Sequence, residues 1–446
     1  MHPPIFRRWS SALAAVLLLA IGRAGAEEAA SVEDALKLAA ARQSPVLVDF
    51  HAPWCYSCYF MAKHVKTGPE WTALQRKAVI VEVDADSPAG AQWMQQWNIK
   101  GLPSYVVLDP AGQELGRIPL ERTRAQFYPE VAAIMARGKD LDALKARVTD
   151  GSKAALAAAR SVLQAQAARA DVEAANDWLA TLPAVARKAV DQDPVAALWQ
   201  ARLALRKAAT ANDAEACAAV APRVLAGELG CDRAYELDRA LQCTASLPAA
   251  QRQQLYAAQQ PVMAALLDRR VFIARPSCAD ARSLVTGSAD LARSLGDTKT
   301  EAAVLDRAIA DARHRLGGSK GRDLDLGRDR NLADNLRRYL ERAGRDAELD
   351  ALFPKLIAAW PDDYVYPFRY GRRLVERGQP EAALPWLAQA APRAYGLNRL
   401  MVAQYRAEAL IKLGRVDDAK QVVAEALKAN GPFFPEQAAK LKAAAS

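Results

Sequence analysis

The chain has 446 residues and a formal net charge of +9, from 60 lysines and arginines against 51 aspartates and glutamates. The basic excess is interleaved with acid, as over 320–345, where Asp323, Asp325, Asp329, Asp334 and Glu341 sit among the cations. That is a solvated mixed-charge surface and argues against a nucleic-acid partner. The length exceeds what one hydrophobic core organises, so two or three domains are expected.

The chain opens with Arg7 and Arg8, an apolar run over 12–21, and Ala24-Gly25-Ala26 ahead of Glu27 and Glu28. This is the layout of a secretory signal peptide cleaved after Ala26. That apolar run falls well short of the roughly 20 residues that cross a bilayer, which argues against an anchor. Twin-arginine export is the alternative route, but Trp9-Ser10-Ser11 fits that signal poorly. Loss of 1–26 removes three arginines and lowers the charge to +6. No later stretch is uncharged over a spanning length, so a soluble periplasmic protein is expected.

From Ser31 to about Gly138, short apolar runs alternate with helical stretches. Strands are predicted over 46–50, 79–83, 105–108 and 115–120, the last two joined by a turn at Asp109-Pro110-Ala111-Gly112. Helices are predicted from Cys55, over 70–77, 89–97 and 124–135. The order implies an α/β domain, a central mixed sheet flanked by helices on both faces. After about Lys139 strand signals stop and the rest is all-α. Gly344, Gly378 and Gly414 each follow an apolar-periodic helix at spacings of 34 and 36, in AGRDAEL, RGQPEAA and LGRVDDA. Such a period implies stacked helical hairpins. Ala383 and Ala419, with Phe353, Leu387 and Val423, fall where tetratricopeptide repeats place small and large packing residues, so the array resembles that family. A diverged unit is expected near Leu295-Gly296. The expected divisions are a signal peptide at 1–26, the α/β domain at 27–140, an Ala-rich helical region at 141–290 and tetratricopeptide-like repeats at 291–446.

The chemistry centres on Trp54-Cys55-Tyr56-Ser57-Cys58, directly after the strand Val46-Leu47-Val48-Asp49-Phe50. A cysteine at the mouth of a helix meets unpaired N–H groups and the positive end of the dipole, which favour its thiolate. A fall from the free pKa of about 8.5 toward about 7 raises the thiolate share at neutral pH from a few per cent to roughly half. Cys58, one turn on and on the same face, is placed to resolve a mixed disulfide. A structural disulfide is one alternative. Half a zinc site is another, but no second CxxC or CxxH completes four ligands, and His51 and His64 are weak substitutes, so no metal is expected. No cofactor is expected beyond the Cys55–Cys58 pair.

The run Val48-Asp49-Phe50-His51-Ala52-Pro53-Trp54-Cys55 resembles the thioredoxin superfamily over roughly 31–137. With Asn98-Ile99-Lys100-Gly101-Leu102-Pro103 and Asp109-Pro110-Ala111-Gly112-Gln113-Glu114, the resemblance is nearest to the C-terminal domain of DsbD-type thiol:disulfide interchange proteins. It implies a buried carboxylate, Asp49, assisting proton transfer at Cys58. It also implies a cis-proline, Pro103, which with Leu102 and Trp54 would bind an extended substrate segment. Tyr56-Ser57 departs from the Gly-Pro of thioredoxin and lacks the histidine of strongly oxidising relatives, which points to a reductase or isomerase. The DsbD-type membrane domain is missing from the sequence, so a separate electron donor is implied.

Cys217, Cys231, Cys243 and Cys278 lie in the middle helical region, and an even count in an exported chain reads as two disulfides with three possible connectivities. Repeat arrays bind peptides or partner proteins, and Trp360, Tyr364, Tyr366, Phe368 and Tyr370 would line such a groove or belong to the core. Two functions are therefore carried forward. One is an exported thiol–disulfide oxidoreductase acting on protein cystines. The other is a protein-binding scaffold whose thioredoxin-like domain does not turn over.

Overall fold

A computed structural model describes residues 29–137, 141–318 and 323–444. The expected signal peptide, 1–26, and the expected boundary at 140 lie outside the described residues. Helix α1 (Val32–Arg42) starts where the Ser31 hydroxyl accepts from the Asp34 N–H, and it buries Val32, Ala35 and Ala39 at helical spacing. There follow β1 (Val46–His51), α2 (Tyr56–Phe60) running on into a wider π-type turn (Met61–Val65), α3 (Gly68–Lys77), β2 (Val79–Asp84), α4 (Pro88–Gln96), β3 (Ser104–Leu108), β4 (Glu114–Pro119) and α5 (Arg124–Arg137).

The four strands form one mixed sheet in the order β2-β1-β3-β4. β1 runs parallel to β2, and β3 is antiparallel to both β1 and β4. Parallel pairing demands a crossover, which α2 and α3 supply. Side chains alternate across the sheet. Val46, Val48 and Phe50 pack on one face with α1 and Ile99, while Leu47 packs on the other with Met61, Tyr105, Phe127 and Val131. The strands expected from the sequence agree with these to within one residue at each end. Helix α1 had no counterpart in that reading.

From Leu141 to Ala444 the described chain is helical. Gly296, Gly344, Gly378 and Gly414 each stand between two helices with positive φ, the left-handed conformation glycine adopts without a Cβ penalty. Ala383, Ala419, Phe353, Leu387 and Val423 are all buried. Tyr364, Tyr366 and Phe368 are buried too, with Trp360 and Tyr370 packed against the same cores. The aromatic cluster is therefore core and does not line a groove, because its rings fill the spaces between successive helices. Disulfides join Cys217 to Cys243 and Cys231 to Cys278. No helix among the described residues is long and apolar enough to cross a membrane.

Candidate active site at the mouth of helix α2

Cys55 is the N-cap of α2, in extended conformation, and its Sγ accepts the Cys58 N–H at 3.1 Å. It is joined to Cys58 in a disulfide with a Cα–Cα separation of 5.2 Å. The strand β1 delivers the chain to this point, and the helix start points its free N–H groups at the sulfur. Ala52, Ala85 and Leu102 pack around the pair. The Leu102–Pro103 peptide is cis. Its loop is pinned on both sides, by Leu120 N–H donating to the Pro103 carbonyl at 2.7 Å and Ser104 Oγ donating to the Gly101 carbonyl at 2.8 Å. Trp54 leaves 39% of its surface exposed, and its indole N–H donates to Asp86 Oδ2 at 2.7 Å.

Asp49, on β1, is buried, with Lys66 Nζ at 2.6 Å from its Oδ2 and at 2.8 Å from Glu82 Oε1. Its other oxygen, Oδ1, has no hydrogen-bond partner among the described residues. Burial raises the Asp49 carboxyl above the usual carboxylate range even with Lys66 beside it. Burial also works against the Lys66 ammonium, but Asp49 and Glu82 overcome it and hold its pKa above the ordinary lysine value. The result is a buried carboxyl with one oxygen free to take or give a proton.

The helical region covers this end of the sheet. Tyr56 places its hydroxyl 3.1 Å from Asp280 Oδ2 and its ring 3.6 Å beneath the guanidinium of Arg282. Asn331 donates to the Tyr56 carbonyl at 2.9 Å, and Arg330 lies 4.2 Å over the Tyr59 ring. His64 Nε2 is 2.7 Å from Asp329 Oδ2. Further round, Tyr395 hydrogen-bonds Asp84 and Leu397 N–H donates to the Asp86 carbonyl at 3.3 Å. Gly396 has positive φ there, and a Cβ on it would lie 1.7 Å from that same carbonyl, so only glycine permits the approach. Under this cover Cys55 is 4% exposed and Cys58 9%.

Glu121 belongs to the same seam. Its carboxyl meets the carboxyl of Asp280 and the hydroxyl of Ser57, and burial, then the Asp280 charge, raises its pKa well above the carboxylate range. Tyr235 donates to Asp280 at 2.8 Å. Sequence reasoning singled out Asp49, Trp54, Cys55, Cys58, Leu102 and Pro103, of which the structure packs Cys55, Cys58 and Leu102 against one another and sets Asp49 within β1. It missed Lys66, Glu121, Asp280, Arg282 and Asn331. Lys66 carried one usable signal, a cation near the end of α2 where a buried acid needs a partner. Cys217, Cys231, Cys243 and Cys278 stand apart, in their own disulfides. Among the described residues, no group of three or more His, Cys, Asp or Glu is placed to hold a metal ion.

Residues 27–110 match the family model described as Thioredoxin-like. Over 85 residues the chain is 33% identical to the thiol:disulfide interchange protein DsbD of Cronobacter sakazakii, covering 18% of this chain and 15% of that protein. Over 116 residues it is 27% identical to the thiol:disulfide interchange protein TxlA of Synechococcus elongatus, covering 24% of this chain and 58% of that protein. A thioredoxin from Thermus thermophilus of known structure is 29% identical, with a TM-score of 0.24, over 26% of this chain and 91% of its own. The chain thus spans 15% of the length of the DsbD relative. What fold and site define is a thioredoxin-like domain with an all-helical region behind it. The relatives of that domain include thiol:disulfide interchange proteins, which supports oxidoreductase chemistry at that level.

Proposed function

We propose that the chain is an exported thiol–disulfide oxidoreductase, a reductase or isomerase, that exchanges disulfides with protein clients. The observation that carries this reading is the Cys55–Cys58 disulfide at the start of α2, packed against Leu102 of the cis Leu102–Pro103 peptide. In the reduced protein the Cys55 thiolate, favoured by the helix N-terminus, attacks one sulfur of a client cystine. A Cys55–client disulfide forms and the client's other sulfur leaves as a thiolate. Cys58 then gives its proton to Asp49 and attacks the Cys55 sulfur, closing the Cys55–Cys58 disulfide and releasing the second client thiol. Two electrons pass to the client, so a separate dithiol donor must restore the pair, and a membrane thiol:disulfide interchange protein is a donor of the right kind. Trp54, Leu102 and Pro103 hold the client segment. The helical hairpins, read as tetratricopeptide-like repeats, recruit the client or the donor.

The test is Cys58→Ser, which removes the resolving sulfur. Acid-quenched exported protein should then carry mixed disulfides on Cys55, identifiable by mass spectrometry, and finding none across growth conditions overturns the proposal. The low exposure of Cys55 favours a second reading, in which the domain binds without turnover. On that reading a Cys55→Ser, Cys58→Ser protein keeps its full biological effect, whereas the oxidoreductase reading makes it inert.

A further inference from the structure

A cleft of ≈ 1080 Å³ lies between the sheet and the helical region. One wall is the edge strand β4 with the loop from Asn98 to Gly101, and the other is built by helices Lys153–Arg169, Pro194–Thr210 and Arg233–Cys243. Gly101 and Ser104, which flank Leu102 and Pro103 in the chain, are part of its lining. The cleft therefore adjoins the loop that touches the disulfide.

The lining carries eight cationic and five acidic side chains, and the pairing within it is incomplete. Glu114 alone serves two guanidiniums, Arg117 at 2.6 Å and Arg169 at 2.9 Å. Arg169 Nη1 is buried with no hydrogen-bond partner. Arg206 donates to the Ala167 carbonyl at 2.8 Å and is in no ion pair among the described residues. Burial, with Arg239 and Arg202 nearby, depresses its pKa, the mark of a charge short of compensation. Of the acids, Glu130 pairs with Arg122, Glu173 with Lys207, and Asp232 and Glu236 with Arg202, all within the lining, and Asp171 caps a helix. The cleft thus keeps a net positive lining, its charge unpaired among the described residues lying at Arg206 and the exposed Lys100, among apolar residues that include Trp199 and Ile134.

We propose that this cleft is a binding site for an acidic, extended peptide segment, and that it holds the client polypeptide while a nearby cystine reaches Cys55. The second half rests on the oxidoreductase reading, and the first does not. The volume lies just above the range of about 300–1,000 Å³ typical of small-molecule sites, which suits a short stretch of chain better than a single small anion. A peptide alternating acidic and apolar side chains meets both the cationic and the apolar parts of the wall.

The experiment uses the full chain with Cys55→Ser and Cys58→Ser, so that no covalent capture contributes. Fluorescein-labelled octapeptides alternating Asp with Leu, or Lys with Leu, are titrated and read by anisotropy. The Asp peptide is expected to bind at least about 10-fold more tightly than the Lys peptide. Arg206→Glu should weaken it at least about 10-fold, and Lys100→Glu, an exposed change at the rim that leaves the buried packing alone, should weaken it several-fold. Equal binding of the two peptides, or no loss in either variant, overturns the proposal, as does full displacement of the peptide by submillimolar inorganic phosphate, which would make this a small-anion site. If binding fails while Cys58→Ser still traps clients, the cleft assignment falls alone. If binding holds while trapping fails, the exchange reading falls and the cleft remains.

Discussion

Arg369 donates from Nη2 to the backbone carbonyl of Trp54, 315 residues away in the chain, at 3.0 Å. Trp54 immediately precedes Cys55, so a helix of the helical region grips the backbone of the CxxC turn. The same guanidinium contacts Asp334 Oδ1 at 2.6 Å. Asp334 is fully buried. Burial opposes its charge, but Arg337, Arg369 and Arg282 together hold its carboxyl well below the usual range. Arg282 in turn covers the Tyr56 ring, so one buried charge cluster anchors both clamps on the CxxC turn.

Loosening that clamp should expose the sulfur. In the reduced protein, Arg369→Ala is expected to raise the rate of Cys55 alkylation several-fold, read by mass spectrometry of the quenched protein. It should also cost about 1–3 kcal/mol of stability through the lost charged hydrogen bonds. An unchanged alkylation rate would mean that the array does not restrict access.

In the exchange proposed above, Asp49→Asn removes the proton acceptor while keeping its shape. Exchange at neutral pH should slow by roughly 10²-fold, the lower end of what positioned acid–base groups contribute, and the loss should appear in release of the mixed disulfide rather than in its formation. Lys66→Met leaves Asp49 buried without its cation, and breaking such a pair costs about 3–5 kcal/mol. Stopped-flow exchange and urea unfolding measure the two effects.

Asp86 gives a pH signature. Burial raises its carboxyl to about 6 from the ordinary 3.8, although the hydrogen bond from the Trp54 indole pulls the other way. A carboxyl whose folded pKa is raised contributes stability that is complete below its unfolded pKa and is lost as pH rises through the folded value. The contribution therefore declines between about pH 4 and about pH 6, by at most about 3 kcal/mol. Asp86→Asn should abolish this decline and be more stable than the parent at pH 7.5, with little difference at pH 4. Unfolding midpoints at the two pH values decide it.

The two helical-region disulfides should act on stability alone. With sequence separations of 26 and 47, loop-closure entropy assigns about 3.5 kcal/mol to Cys217–Cys243 and about 4 kcal/mol to Cys231–Cys278. Replacing either pair with serine should lower the melting temperature and leave exchange at Cys55 unchanged in a peptide-cystine assay.

The sheet was legible because its cues are local. Val46 to Phe50 reads as a strand from five residues, and Trp54 to Cys58 announces its chemistry from its own spacing. The glycine turns at 344, 378 and 414 were legible for the same reason. The cover over the active site was not. Tyr56 meets Asp280 across 224 residues and Asn331 across 275, and nothing in the local pattern of either segment names the other. Arg282 and Asp334 read as ordinary members of a mixed-charge surface, yet they are buried because two parts of the chain close over them. Glu121 follows a strand as any exposed acid might, and only the approach of Asp280 and Ser57 makes it a buried one.

Attack by Cys55 is open to direct measurement. Reduced full-length protein should be mixed with a cystine-bearing peptide, acid-quenched over the first seconds, and mapped by mass spectrometry. The account predicts that the peptide appears first on Cys55, then disappears as the Cys55–Cys58 disulfide and the free peptide thiol accumulate together, and that it persists on Cys55 when Cys58 is serine. Peptide on Cys58 first, or on neither sulfur while both remain thiols, would contradict it.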